Sequence, residues 1–525
     1  MLRATEDDGA SCLPAGGAAR HRHHSNGSDM SIFSRRKFLA AGGAAAGLAL
    51  LQSSNVSPAQ SCVATRYNLD SAKGKKMLQI YADSVRKMNN PLRYPEFTPL
   101  SWMFQWYTHM VRGDRSKAAE MARVFPLGGS ALADEMWDTC QSHLGQPEQY
   151  FLPWHRMYLN FLEQIVRTVS GDPCFTLPYW DYTNPARQAL PSEFRQRNSN
   201  RWGPLYRAER YPEINAGTPL PQGQVGLRLD LECMKSGSYN PFNGDAGFCA
   251  NIDAMVHGAA HLDIGTPLGM ASVPWAARDP IFWVHHCNID RIWASWNRAG
   301  GSNPADAPFL DKTFVFANGS GERVAPRIGD VLSVAPAAYD VYLARPAGGL
   351  PFQPAASDAA AREMAPAALE SNDAGVDGDI RLGGEAVTVP LGAGAGRAAL
   401  SARAPRTGST GQPILLIEGR SVTGFAASGF NVYVHAARHS ILLPGSPAHV
   451  GQLHFFGLEM QHDHADGAHD PSAMSGRDAS FVLRDDTRRM LATLDPANLA
   501  VTFVPIGAWD ESVGAAVRRV ALVLR

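Results

Sequence analysis

The sequence has almost nothing that would mark a charged partner or a membrane. Forty-eight Lys and Arg stand against 49 Asp and Glu, a formal net charge of −1. No bulk field draws nucleic acid or an anionic lipid surface, so neither is expected as a partner. No apolar run reaches the length of a membrane span, and no internal repeat is visible. Cysteine is sparse, at seven in 525 residues. Histidine is scarce in the middle of the chain: only His109, His143, His155, His257, His261, His285 and His286 fall between residues 62 and 340. What remains is ordinary, 45% hydrophobic and 18% charged, and fits a globular protein of two or three domains.

The first 59 residues read as a polar extension and an export signal. Arg35-Arg36 and Phe38-Leu39 precede an Ala/Gly-rich, mildly apolar stretch to Leu51, with small residues at Ser57 and Ala59. That is the layout of a twin-arginine signal, so the export machinery is an expected partner and a periplasmic or secreted location is expected. "HRHH" at 21–24 lies in the polar extension and is not read as a metal site. Export permits disulfides. Cys233 and Cys249 flank a Gly/Asn/Pro-rich loop, and that spacing offers a bond between them.

Residues 60–345 are rich in Trp, Tyr and Phe at three- and four-residue intervals, as in "SWMFQWYTHMVR" and "HRMYLNFLEQIVRTV". They predict a mainly α domain. Residues 346–380 are Ala/Pro/Gly-rich and read as a linker. From 381 to 525 short β-rich runs alternate with turn residues, among them "PILLIEG", "FNVYVHAA" and "LAVTFVPIG". They predict a C-terminal β-sandwich.

Three histidine contexts stand out. His257 and His261 in "MVHGAAHLDIG" share one helix face at i, i+4. A zinc peptidase would carry a general-base Glu directly after the first, where Gly258 stands. Spacing alone leaves ligands and packed core histidines equally open. His155 in "FLPWHRMYLNFLE" lies near a helix start, with Pro153 in the first turn. In "DPIFWVHHCNIDRIW", Asp279 is a candidate N-cap, Pro280 a first-turn residue and Gly300-Gly301 a stop. Ile281, His285 and Ile289 form one stripe of that helix, and Phe282, His286 and Asp290 another. Periodicity does not choose between the two adjacent histidines.

"FLPWHR" with Glu163 downstream, "HGAAH", and "DPIFWVHHCNIDRIW" at 279–293 together resemble the tyrosinase family of type-3 copper proteins. That family takes in tyrosinases, catechol and polyphenol oxidases and molluscan haemocyanins. The resemblance runs from about residue 100 to 345. It implies a helical bundle holding two copper ions, with dioxygen as co-substrate and small phenols as substrates. The reaction implied is oxidation of o-diphenols, or of monophenols or o-aminophenols, to quinones; reversible oxygen carriage in the manner of haemocyanin is the alternative. It implies His109, His143 and His155 for the first copper, and His257, His261 and His286 for the second. His285 would then support the site from the adjacent face, with Phe282 beside it, and Asp290 would pair with an arginine or cap packing rather than touch metal. Gly258 and Leu262, each following a ligand, would tune the substrate. The loop after His143 is longer than the family's. Cys140, three residues before His143, is a candidate for the thioether some members carry. "YDVY" at 339–342 resembles the motif that closes the family's catalytic core, and "LLIEG…FNVYVHAA" resembles the C-terminal domain that shields it. "HFFGLEMQHDHADGAHD" at 454–470, with His462, His464 and His469, is read as a solvated polar loop.

Overall fold

A computed structural model describes residues 62, 64–141, 150–353, 373–391, 412–437, 442–458, 478–495 and 498–524. The export signal, His143 and the loop with His462, His464 and His469 lie outside the described residues.

The α region is built on a few helices: α1 (Ala72–Met88), α2 (Trp102–His109), α3 (Phe151–Ser170), α4 (Gly258–Ile264) and α5 (Pro280–Arg298). Ser71 caps α1 by accepting from Gly74 N at 2.9 Å, and Ser101 caps α2 through Phe104 N. Helix α3 opens on the apolar run Phe151–Trp154 and stops at Gly171, where a φ of 79° suits glycine. Asp279 caps α5 by accepting from Ile281 N at 3.0 Å, and Pro280 supplies the first turn, as its sequence predicts. Arg210 grips the same Asp279 through Nε at 2.8 Å and Nη2 at 2.6 Å, so the start of α5 is pinned on the inside of the fold. Helix α3 packs against both α1 and α5. Two buried arginines lock this layer. Arg156 donates to Asp290 and lies 3.6 Å from the Trp293 ring centroid; Arg66 bridges Glu163 and Asp290, each at 2.8 Å. Tyr339 of "YDVY" donates to Asp290 Oδ2.

The C-terminal region holds strands β1 (Asp373–Leu382), β2 (Val387–Pro390), β3 (Pro413–Glu418), β4 (Gly429–Ala436), β5 (His449–His454), β6 (Ala479–Val482), β7 (Leu499–Pro505) and β8 (Ala515–Leu524). They form two antiparallel sheets, ordered β2-β7-β4-β5 and β1-β8-β3-β6. Alternate residues of both sheets, including Leu415, Ile417, Val432, Val434, Val501 and Val520, join one buried cluster, the sandwich arrangement. The stretch read as linker is narrower than its composition suggests. Residues up to Gln353 pack on the α region, with Leu350 fully buried, and β1 already starts at Asp373.

The expected Cys233–Cys249 bond is corrected. Cys62 pairs with Cys174, their Cα atoms 5.3 Å apart, while Cys233 and Cys249 are buried thiols with no disulfide. Spacing along the chain misleads here: both thiols are buried, but Cys233 lies on a short helical turn (Glu232–Lys235) and Cys249 on a separate helix (Phe248–Ile252). The real bond ties the start of the fold to the segment just after α3.

Candidate metal centre

Six imidazoles converge where α2, α3, α4 and α5 meet. His109 ends α2, where the Ser101 cap and the burial of Trp102, Phe104 and Trp106 fix the helix. His155 lies on the first turns of α3 and is 4% exposed. His257 ends a π-helical turn (Asp253–His257) kinked at Met255, and His261 follows on α4. His285 and His286 lie in the middle of α5.

Four of these rings are tethered through Nδ1. His109 meets the Val273 carbonyl at 3.1 Å, His155 the Phe151 carbonyl at 2.9 Å, and His261 the Met270 carbonyl at 2.7 Å. His257 meets the Asp253 carboxylate at 2.7 Å. A carbonyl or carboxylate can only accept, so Nδ1 carries the proton and Nε2 presents a lone pair. Burial, reinforced by neighbouring imidazoles, holds His155, His261, His285 and His286 well below the usual imidazole pKa, which keeps them neutral.

The rings form two groups of ligand atoms, each within 4.8 Å: His257, His261, His285 and His286; and His109, Cys140 and His155. The groups face each other. His155 and His286 stack with centroids 4.3 Å apart and planes 6° apart, and Phe282 lies 4.8 Å from His109 and 4.2 Å from His286. Among the described residues both nitrogens of His286 lack a hydrogen-bond partner, as does Nε2 of His285, whose Nδ1 meets the Tyr182 hydroxyl at 2.8 Å. A buried polar atom left so costs on the order of 1–3 kcal/mol. A metal ion would satisfy such nitrogens, so the donor set fits a metal, and clustered neutral imidazoles suit copper.

The site residues expected from sequence are thus brought together, apart from His143. His285 is closer in than expected, stacked on His257 with centroids 5.4 Å apart. Cys140 Sγ lies 3.6 Å from His155 Nε2. Gly258 and Leu262 are buried beside the second group, and Asp290 is an arginine partner. Sequence reasoning missed four groups. Asp253 had a signal, being an acid one turn before His257. Tyr182 had none. His454 and Phe456 come from the end of β5 and the turn after it. Phe456 stacks on His261, centroids 4.4 Å apart and planes 15° apart, and meets His257 edge-on at 5.7 Å.

Comparison with known proteins agrees with this geometry. Residues 99–219 and 229–299 match the model of the common central domain of tyrosinase. The chain is 32% identical over 212 residues to aureusidin synthase of Antirrhinum majus, covering 35% of this chain and 38% of that protein. It is 30% identical over 264 residues to a tyrosinase of Hahella sp. (strain CCB-MM4), covering 44% and 54%. The chain therefore spans about a third to a half of the curated relatives it matches. The fold is similar to that of latent apple tyrosinase, with a TM-score of 0.56 at 21% identity over 89% of this chain and 98% of that one. It is also similar to latent aurone synthase, at 0.57 and 19%, over 89% and 90%. With its paired motifs and its converging histidines, the chain carries the common central domain of tyrosinase and is similar there to tyrosinases and polyphenol oxidases.

Proposed function

We propose that this protein is a copper-dependent oxidase of o-diphenols. His109, His143 and His155 hold one metal; His257, His261 and His286 hold the other. The observation that carries the reading is the pair of facing imidazole groups with tethered Nδ1 atoms and bare, buried nitrogens. When bound, two copper ions would supply the redox pair through which dioxygen receives electrons from the phenol. Two o-diphenols give up four electrons and four protons to one dioxygen, leaving two o-quinones and two waters.

The chain's own residues do the rest. The Nδ1 tethers hold His109, His155, His257 and His261 each in one tautomer and orientation. Phe282 packs its ring against His109 of one group and His286 of the other. Gly258 has no side chain to help take a proton from a monophenol, and Leu262 offers no cation for a substrate carboxylate. Uncharged catechols are therefore the favoured substrates. The C-terminal sandwich acts as a shield, with Phe456 lying on His261 where a substrate ring would approach. Two of the similar structures are of forms named latent, which supports that role. Arg35-Arg36 directs export through the twin-arginine pathway to the periplasm or beyond.

The test is oxygen uptake by copper-loaded protein on 4-methylcatechol, 4-methylphenol and tyrosine. Two coppers per chain are expected, with turnover fastest on the catechol. Tightly bound zinc with no catechol oxidation would overturn the function, and faster turnover of tyrosine would overturn the substrate order.

A further inference from the structure

Gly258 has a backbone that does not need glycine. Its φ of −65° and ψ of −32° are ordinary helical values. Alanine there would favour the helix by about 0.5–1 kcal/mol. What a side chain would meet is the C-terminal region. A Cβ at position 258 would lie 2.1 Å from His454 Cε1 and 2.9 Å from both ring nitrogens, and these are its three nearest atoms.

The His454 ring cannot easily step aside. It is 2% exposed. Its Nε2 lies 2.9 Å from the Met255 carbonyl, and its Nδ1 accepts from Phe456 N at 3.4 Å. One acceptor and one donor fix the tautomer, with the proton on Nε2. The His454 carbonyl is gripped by Arg420 Nη1 at 2.6 Å. Met255 is the residue whose φ of −120° and ψ of −105° break the helix before His257. The kink thus turns a carbonyl toward the C-terminal region within a turn of a metal-site histidine. Phe456, two residues on, reaches His257 and His261.

We infer that Gly258 is a docking socket: its missing side chain admits the His454 imidazole, and that seating sets the register in which Phe456 covers the two histidines of the second group. Position 258 then answers to the shield as well as to the substrate. Any side chain there ejects His454 and lifts Phe456 with it. The seating stands on geometry alone. Its effect on turnover rests on the oxidase reading above.

The experiment uses full-length, copper-loaded protein as parent, Gly258→Ala, His454→Ala and the double variant. Hydrogen exchange of the 450–458 segment reports docking without reference to activity, and copper content reports the integrity of the centre. Gly258→Ala should speed exchange by roughly tenfold or more, because it opens a local contact. His454→Ala should speed it only a few-fold, since Ser480 and Phe456 still hold the interface. The double variant should fall back to the His454→Ala level, because the new methyl then occupies space left by the ring. The double variant also shows that an alanine in place of Gly258 is itself compatible with the fold. Unchanged exchange in Gly258→Ala, or a double variant as open as Gly258→Ala, overturns the socket. Diphenol turnover should follow exchange across the four proteins. Exchange that follows the expected order while turnover stays flat keeps the socket and overturns the shield.

Discussion

Arg156 Nε lies 2.5 Å from Asp290 Oδ1, and this contact joins the helix carrying His155 to the helix carrying His286. Arg66 takes the other carboxylate oxygen at 2.8 Å. Burial alone would push the Asp290 carboxyl up. Arg156, Arg66 and the Tyr339 hydroxyl outweigh it and hold the group below its usual range. A folded pKa below the unfolded value of about 3.9 gives stability that is present above that pH and lost as pH falls below it. We expect the α region to lose stability steeply below about pH 4, and Asp290→Asn to flatten that acid limb. At neutral pH the same change takes the carboxylate from the buried Arg156, while Arg66 keeps Glu163, and should cost on the order of 3–5 kcal/mol. Denaturant midpoints at several pH values check both; equal midpoints for the two proteins would remove the pair from the account.

The two neighbouring histidines of α5 make a sharper test. His286→Ala should empty the second metal group and abolish oxidation, because it removes the imidazole that faces both groups. His285→Ala should keep part of the copper, since His285 is held by Tyr182 and its loss leaves three histidines in place. Changing His109, His143, His155, His257 or His261 to Ala should lower copper and activity together. Copper content by elemental analysis decides. A His286→Ala protein that stays loaded while His285→Ala empties would exchange the two roles.

What the sequence made legible was local. The Asp279-Pro280 start of α5, the helical setting of His155 and the short β runs after residue 381 each depend on residues close in the chain, and each is in the structure. The role of Asp290 was legible for a similar reason: a carboxylate on an apolar helix needs a cation. The failures were long-range. Cys62 and Cys174 are 112 residues apart, and nothing local pairs them. Phe456 reaches His261 from the far end of the chain, and no periodicity encodes that meeting. The strand Asp373–Leu382 was hidden because its glycines and acids mask the alternation of Val376 and Ile380. The kink at Met255 left no mark either, since π-turns arise from packing around a site rather than from propensity.

The Cys62–Cys174 bond closes a long loop around α1, α2 and α3. In the chain-entropy picture a loop of this size lowers the entropy of the unfolded chain by an amount worth on the order of 4–5 kcal/mol, an upper bound if the unfolded chain stays compact. Cys62→Ser with Cys174→Ser should lower the thermal midpoint clearly, and reductant should do the same to the parent but not to the variant. Cys233→Ser should leave the response to reductant intact. A parent indifferent to reductant, with its thiols shown to be accessible, would dismiss the bond.

A cut within residues 354–372, between the packed segment that ends at Gln353 and the strand that starts at Asp373, should separate the sandwich from the α region. The two parts meet through defined contacts: Ser480 donates to Asp245 and accepts from Ala246 N and Asn251 Nδ2, Gln452 accepts from Arg228 N, and Phe456 stacks on His261. While the chain is continuous these contacts form within one molecule, at an effective concentration on the order of millimolar. After the cut they must form between two molecules at assay dilution, so the same contacts hold the shield far less of the time. Phe456 then leaves the ring of His261, while the tethers of His109, His155, His257 and His261 remain, because every partner lies in the α region. Diphenol turnover per copper should rise several-fold with copper content unchanged, and the rise should grow on dilution. Gel filtration shows whether the sandwich has left. Equal turnover of cut and intact protein, both fully loaded and with the sandwich gone, would mean that Phe456 lies on His261 without barring the way to it.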